Sequence, residues 1–209
     1  MSVKDLQDFI AKPESGGDFD IVWGGIAAKH RPPKPLTKMT IGEVLDWQDR
    51  IDPLYMSEAS GAWQIMEDTL RGVYEAAGLT KADLYNETNQ RRLCTELMNR
   101  RGLQRYLSGE ITGHKFGQSL SKEWASLPCI TKDRKGRPAR GQSYYAGDGL
   151  NKSHVSIDDF MEAVGKAREI IQAPPRTPEA IHHDDPAEAP QGIIAAIMAF
   201  IFALFRRKS

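Results

Sequence analysis

The sequence predicts an α+β domain that is mostly helical, with one small β-hairpin near its N-terminus and a separate apolar helix at its C-terminus. Apolar residues recur at helical spacing through most of 1–172, whereas β-branched and aromatic residues closed by Gly-Gly occur only near the start. Residues 173–191 are rich in proline and acid, which is typical of a stiff, solvated linker. We therefore divide the chain into a domain over 1–172, a linker over 173–191 and an apolar tail with a basic end over 192–209.

The first predicted elements are a helix and a hairpin. Apolar residues at helical spacing predict a helix over 3–12. Pro13 is expected to end it, because a residue that precedes proline disfavours the helical backbone. Residues 19–26, "FDIVWGGI", predict a short strand that enters a turn, and "TKMT" at 37–40 is expected to return as its partner strand.

The remaining predicted elements are helices and one long loop. Thr40 and Glu43 have the spacing of a capping box, which begins a second helix. Between 62 and 127 the apolar spacing is helical almost throughout, with breaks at glycine. Residues 129–152 are polar and glycine-rich and predict a loop. A last helix is predicted over 156–171, with acidic residues in its first turn.

The composition argues against several classes of function. Lysine and arginine number 28 and aspartate and glutamate 28, so no net charge attracts nucleic acid. Cys94 and Cys129 are interpreted as free thiols, which could pair only in an oxidising compartment, and the five histidines lack metal-ligand spacing. The charged N-terminus has no apolar core of a cleavable signal peptide. We therefore expect no metal, no cofactor and no nucleic-acid partner.

Glu14 is the candidate proton donor. It follows the first predicted helix in a Pro/Ser/Gly/Gly loop. A carboxylic acid donates a proton near neutral pH only if partial burial raises its pKa, and packing between a helix and a hairpin could supply that burial. Gly16 and Gly17 would let a bulky chain approach the backbone. The loop alone favours the alternative of a solvated surface glutamate.

The segment "SEASGAWQIM" at 57–66 is a candidate sugar-binding segment. Small residues form a predicted loop in which Ser60 is a candidate substrate-binding residue, and a helix is expected to present Trp63 and Gln64 in its first turn. A tryptophan face stacks on a sugar ring, and a glutamine amide bonds to hydroxyl and acetamido groups. The alternative places Trp63 in the core and Gln64 on the surface.

The loop "GQSYYAGDG" at 141–149 is the third candidate. Gln142, Tyr144 and Tyr145 bring amide and aromatic groups into a glycine-rich setting that suits the lining of a sugar groove. The alternative is an ordinary surface loop whose tyrosines serve packing.

These stretches together resemble a known family. The "ESGG" loop after the first helix, then "VWGG", "SGAWQIM" and "KEWASLP", are similar in kind and order to the lambda-type phage endolysins, lytic transglycosylases of the lysozyme superfamily. The likeness covers about residues 3–170. The sequence departs from the family pattern in the short spacing from Glu14 to Asp20 and in Trp63, where tyrosine is usual.

The resemblance implies a monomeric, lysozyme-like enzyme that lyses a bacterial host by degrading peptidoglycan. Its substrate would be the β-1,4 bond between N-acetylmuramic acid and N-acetylglucosamine in the glycan strands. Glu14 would protonate the glycosidic oxygen and then, as carboxylate, accept a proton from the muramic C6 hydroxyl. That hydroxyl closes onto C1 and leaves a 1,6-anhydro end. The resemblance also favours Tyr145 over Tyr144 as an aromatic residue near the acid.

Two alternatives to this function stay open. A hydrolytic muramidase typically needs two carboxylates, and Asp18 and Asp20 are the nearby candidates for the second. Asp20 could more simply order the turn into the hairpin. The other alternative is a non-catalytic lysis protein that binds the cell wall and is tethered to a membrane.

The tail is the candidate membrane segment. Residues 192–205 are uncharged and would span about 21 Å as a helix, against about 30 Å for a bilayer core. Arg206 and Arg207 can extend this reach by snorkelling. Because the linker separates the tail from the domain, association of the tail with a membrane is favoured over its burial in the domain core. The domain would then act on the periplasmic cell wall. The basic end favours a cytoplasmic C-terminus; a cytoplasm-facing anchor and a membrane-perturbing tail stay open.

Overall fold

The computed structural model describes residues 2–131, 140–147 and 152–172, with side-chain surroundings in the last helix given as far as Arg168. The chain divides after residue 173 into the units Met1–Ala173 and Pro174–Ser209. The predicted linker over 173–191 and the predicted apolar helix at 192–205 lie outside the described residues. No helix in the described ranges has the length and apolar character needed to cross a bilayer.

The prediction of a mostly helical domain is confirmed. Within the described ranges, three short 3-10 turns lie between the longer helices, at Ala28–His30, Leu36–Lys38 and Asp52–Leu54. The α-helices in the described residues are α1 Val3–Ser15, α2 Ile41–Ile51, α3 Glu67–Val73, α4 Glu87–Arg100, α5 Leu103–Leu107, α6 Gly113–Leu120 and α7 Ile157–Gln172.

The predicted β-hairpin, and with it the α+β class, is not confirmed, because the described residues form no sheet. Val22, in the predicted first strand, instead pairs with Ser60, and Thr40 pairs with Leu84, each as a single antiparallel bridge. The 3-10 turns and prolines between residues 28 and 38 interrupt the extended backbone that a hairpin needs. Thr37 meets Asp20 through the Asp20 side chain, and the backbones of the two predicted strands pair with other segments and not with each other.

The first helix is longer than predicted. Pro13 lies inside its last turn, where its missing N–H removes one helical hydrogen bond, and α1 ends at Ser15 with Gly16 as its C-cap. Gly16 adopts φ +70° and its N–H donates to the carbonyl of Lys12, while the N–H of Gly17 donates to that of Ala11. Glu14 therefore lies on the last helical turn and not in a loop.

The core joins the two ends of the described domain. Helix α7 packs on α1 and on α6. The rings of Phe9 and Phe160 stack with centroids 6.2 Å apart, and Tyr106 donates a 2.9 Å hydrogen bond to the carbonyl of Val164. This packing holds the segment that precedes α7 beside the C-terminal end of α1. Cys94 and Cys129 are buried free thiols, as predicted.

The helix predicted from residue 62 begins later, at Glu67. Residues 61–64 form a turn in which Gly61 and Gln64 have positive φ, at 72° and 48°. Gln48, buried on α2, donates from Nε2 to the carbonyl of Ile65 at 2.8 Å. The side chain of Gln90 accepts a 2.9 Å bond from the N–H of Ala62. Buried amides from two helices thus fix this turn beside α1.

Candidate functional site

Glu14 lines a cleft with a volume of about 520 Å³. Four segments that are distant in sequence build it around the end of α1: the segment that contains Trp23, residues 56–66, the turn after α6, and the segment before α7. The lining residues are Pro13, Glu14, Trp23, Met56, Ser57, Ala59, Gln64, Met66, Glu123, Trp124, Ala125, Ser126, Lys152 and His154.

The carboxylate of Glu14 is held by Ser126. The Ser126 Oγ donates to Glu14 Oε1 at 2.5 Å, and the backbone N–H of Ser126 donates to the same oxygen at 3.2 Å. No hydrogen bond to Oε2 is present in the described part of the chain. Ser126 thus anchors one carboxyl oxygen of Glu14, and Glu14 lines the cleft.

Burial raises the pKa of the Glu14 carboxyl above its ordinary value. The two hydrogen bonds from Ser126 and the electrostatic interaction with His154 oppose that rise in the pKa, because they favour the charged form of Glu14, but desolvation is larger. The sequence-based expectation of a partly shielded acid therefore agrees with the surroundings of Glu14. Such a group holds a proton to higher pH than a solvated glutamate and can still release it.

The turn over 61–64 is tied directly to the helix that carries Glu14. Ser15 Oγ, buried at the end of α1, lies 2.8 Å from the carbonyl oxygen of Ala62, to which it donates. Gln64 lines the cleft, and its Nε2 donates to the carbonyl of Gly61 at 2.9 Å. Its amide oxygen remains for a ligand. The structure thus brings Gln64 to the same cleft as Glu14.

Trp63 does not lie on the cleft, which corrects its predicted role. Its side chain is 1% exposed, and its indole N–H donates to the carbonyl of Gln7 at 3.1 Å. Its ring contacts Phe19 edge to face at 5.8 Å. Because the predicted helical first turn is instead a turn with positive φ at Gln64, the two neighbours point apart. Trp63 is a core residue, and no face remains for a sugar.

Ser60 is also corrected to a structural residue. It is fully buried, and its Oγ lies within hydrogen-bond distance of the Ile65 carbonyl and of the Tyr85 hydroxyl. A ligand in the cleft cannot reach it. Ser60 instead closes the turn that carries Gln64.

The tyrosine loop does not line the cleft in the described residues. Tyr145 donates from its hydroxyl to the carbonyl of Lys122 at 2.8 Å, and Tyr144 meets it edge to face at 5.3 Å. Gln142 is exposed and lines a separate cavity of about 470 Å³. Lys152 borders both this cavity and the cleft. The structure therefore places Gln142, Tyr144 and Tyr145 next to the Glu14 site and not within it.

The two candidates for a second carboxylate face another cavity. Asp18 and Asp20 are exposed and line a cavity of about 550 Å³ together with Arg31 and Lys34. Asp20 Oδ1 accepts a 2.7 Å bond from the N–H of Thr37. Asp20 thus joins its own segment to the 3-10 turn at Leu36–Lys38, whereas the hairpin whose turn it was expected to order is not formed.

Sequence reasoning did not single out Trp23, Glu123, Ser126 or His154, all of which line the cleft. Glu123 is bound to Arg101, whose Nε lies 2.5 Å from its Oε2. The N–H of His154 donates to the carbonyl of Ser126 at 2.9 Å, so the two segments form one wall. Two of these residues lie in the stretch "KEWASLP", which was recognised as a motif without roles for its polar residues.

No group of three or more metal-ligating side chains occurs within the ranges that the structure describes. The lining of the cleft combines the carboxyl groups of Glu14 and Glu123 with the amide of Gln64, the hydroxyl of Ser126 and the ring of Trp23. No family model matches the chain, and neither the curated proteins nor the solved structures contain a match to it.

Proposed function

We propose that the protein is a peptidoglycan-cleaving endolysin that acts as a lytic transglycosylase on the β-1,4 bond between N-acetylmuramic acid and N-acetylglucosamine. The observation that carries the proposal is the partly buried Glu14, with a raised pKa, opening on a cleft that suits a sugar chain. The likeness of the sequence motifs to the lambda-type endolysins supports the same function.

The proposed reaction uses Glu14 twice. Protonated Glu14 gives its proton to the glycosidic oxygen as the bond to muramic C1 breaks. The resulting carboxylate accepts the proton of the C6 hydroxyl while that oxygen bonds to C1, so Glu14 ends protonated and the product carries a 1,6-anhydro ring. The bonds from Ser126 stabilise the intermediate carboxylate and fix its direction.

The position of the other carboxylates favours this mechanism over hydrolysis. Asp18 and Asp20 line a different cavity from Glu14. Glu123 is the other carboxylate that lines the cleft among the described residues, and it is paired with Arg101. Retaining and inverting hydrolases typically need a second free carboxylate at a fixed separation from the acid. The transglycosylase mechanism, which uses a single carboxylate, requires no second one.

The lining of the cleft suits a glycan. Its volume of about 520 Å³ lies in the range of small-ligand sites. Trp23 offers a half-buried aromatic face, and Gln64 offers an amide for hydroxyl or acetamido groups. Met56, which is 72% exposed, adds apolar surface at the rim. We assign Trp23 the stacking role that the sequence had suggested for Trp63.

The cellular setting of the proposal rests on the sequence. The apolar run at 192–205 and the basic residues after it support association with a membrane. The partner of the catalytic domain would be the glycan strands of the periplasmic wall, with lysis of a phage-infected host as the outcome.

The ends of the released glycan fragments test the reaction. We expect wild-type protein incubated with purified sacculi to release muropeptides with 1,6-anhydromuramic ends, which are 18 Da lighter by the loss of one water than reducing ends. Mass spectrometry of the soluble fragments distinguishes the two, with a digest by a hydrolytic muramidase as control. Reducing ends would show hydrolysis instead, and no release at all would favour the non-catalytic wall-binding alternative.

A further inference from the structure

A second cavity, of about 630 Å³, lies between α1 and α7. Phe9 and Lys12 line it from α1, and Asp159, Glu162 and Lys166 line it from α7. We call this cavity the α1–α7 groove. It is not used in the reaction proposed for Glu14.

The α1–α7 groove continues the cleft. Pro13 and His154 line both cavities, so they form the boundary between them. Glu14 follows Pro13 directly on the last turn of α1. A substituent of a sugar bound at Glu14 can therefore pass over Pro13 and His154 into the groove without leaving the protein surface.

The groove combines an apolar floor with charges of both signs. Phe9, Val155 and Ala163 supply the apolar surface. At its edge, Lys12 is exposed and makes no ion pair with any described residue. On the opposite side, Glu162 pairs with Lys166 on the same helix. This arrangement suits a ligand that carries carboxylates together with an amine.

We propose that the α1–α7 groove binds the peptide stem that the muramic acid carries, an inference that rests on the function proposed above. The reacting sugar at Glu14 is the one that bears the peptide, so the peptide must leave the cleft close to that residue. An uncharged sugar chain offers no partner for Lys12 or for the acidic edge. A short peptide with free carboxylates and a free amine offers both. Lys12 would pair with a carboxylate of the peptide stem. Asp159 and Glu162 would pair with the amine of the stem.

The test compares two substrates that differ only in the peptide. Glycan oligomers of one length are prepared with their stems intact or with the stems removed by an amidase and the lactyl carboxylate that remains on the sugar capped as a simple amide, and kcat/KM is measured on each. We expect the wild-type protein to prefer the peptide-bearing oligomers. Lys12→Glu should lower the ratio of the two constants by about fivefold, the scale of an exposed ion pair. Lys81→Glu, at an exposed lysine that lines neither cavity, is the matched control and should keep the wild-type ratio.

The outcomes separate this proposal from the one on which it rests. An unchanged ratio in Lys12→Glu, an equal fall in Lys81→Glu, or a wild-type ratio near one would overturn the peptide site and leave the glycan-cleaving function in place. Failure of the wild-type protein to cleave either oligomer would overturn the proposed function, and the peptide site with it. Circular dichroism of both variants confirms that the helices are retained.

Discussion

Glu14→Gln is expected to lower the rate at which the protein solubilises purified sacculi by about a thousandfold. Glutamine has nearly the shape of glutamate, and its amide oxygen can still accept the bonds from Ser126. It cannot give a proton to the glycosidic oxygen. Fragment release measured by turbidity and by soluble muropeptide follows the loss. Glu75→Gln, at an exposed glutamate away from the cleft, is the control and should act as wild type.

The same variant should be at least as stable as the wild type at neutral pH. Because burial raises the pKa of folded Glu14 above its unfolded value, its contribution to stability is fully present below the unfolded pKa and is lost as pH rises through the folded pKa. Glutamine carries no such cost at neutral pH. Thermal unfolding at neutral and acidic pH should therefore show a gain for Glu14→Gln that shrinks in acid. A Glu14→Gln protein that is less stable than the wild type at neutral pH would contradict this prediction.

Trp63→Ala is expected to destabilise the domain by about 3–5 kcal/mol, the cost of removing a large buried aromatic side chain. The indole of Trp63 is 1% exposed, donates a hydrogen bond to the carbonyl of Gln7 and contacts Phe19. The truncation removes these contacts and leaves a cavity in the core. Chemical denaturation measured by circular dichroism gives the change in the free energy of unfolding.

Trp23→Ala is the matched comparison, because Trp23 is half-buried and lines the cleft. It should cost less stability and should raise KM on glycan more than Trp63→Phe does, since phenylalanine retains most of the core contact at residue 63. A Trp63→Ala protein with wild-type stability and weakened glycan binding would return Trp63 to the stacking role and contradict its placement in the core.

Local patterns were sufficient for the mostly helical class and for the existence of α1, α2 and α7. The capping box at Thr40 and Glu43 is formed, and the apolar spacing of α1 and α7 corresponds to the buried faces that pack together. Glu14 could be selected because proline, serine and glycine mark the end of a helix. The placement of Glu14 on a helix could not be predicted, because Pro13 was expected to break the helix and instead lies within its last turn.

The rest of the site depends on contacts between distant segments. Ser126 and His154 reach Glu14 from more than a hundred residues along the chain, through the packing of α7 on α1. The spacing of apolar residues within one segment gives no information about such a long-range contact. Trp63 was misplaced for a related reason: buried amides from Gln48 and Gln90 hold residues 61–64 in a turn, so the helical phase used to place its side chain does not apply.

The pKa of the Glu14 carboxyl is the measurement that tests the central claim most directly. Carbon-detected NMR titration of wild type, with Glu14→Gln to assign the signal, should give a midpoint above the ordinary glutamate value, because burial outweighs the bonds from Ser126. Ser126→Ala removes a bond that favours the charged form, so the midpoint and the alkaline limit of sacculus cleavage should both move to higher pH. A wild-type midpoint at or below the ordinary value, or cleavage that ignores the shift in Ser126→Ala, would contradict the account.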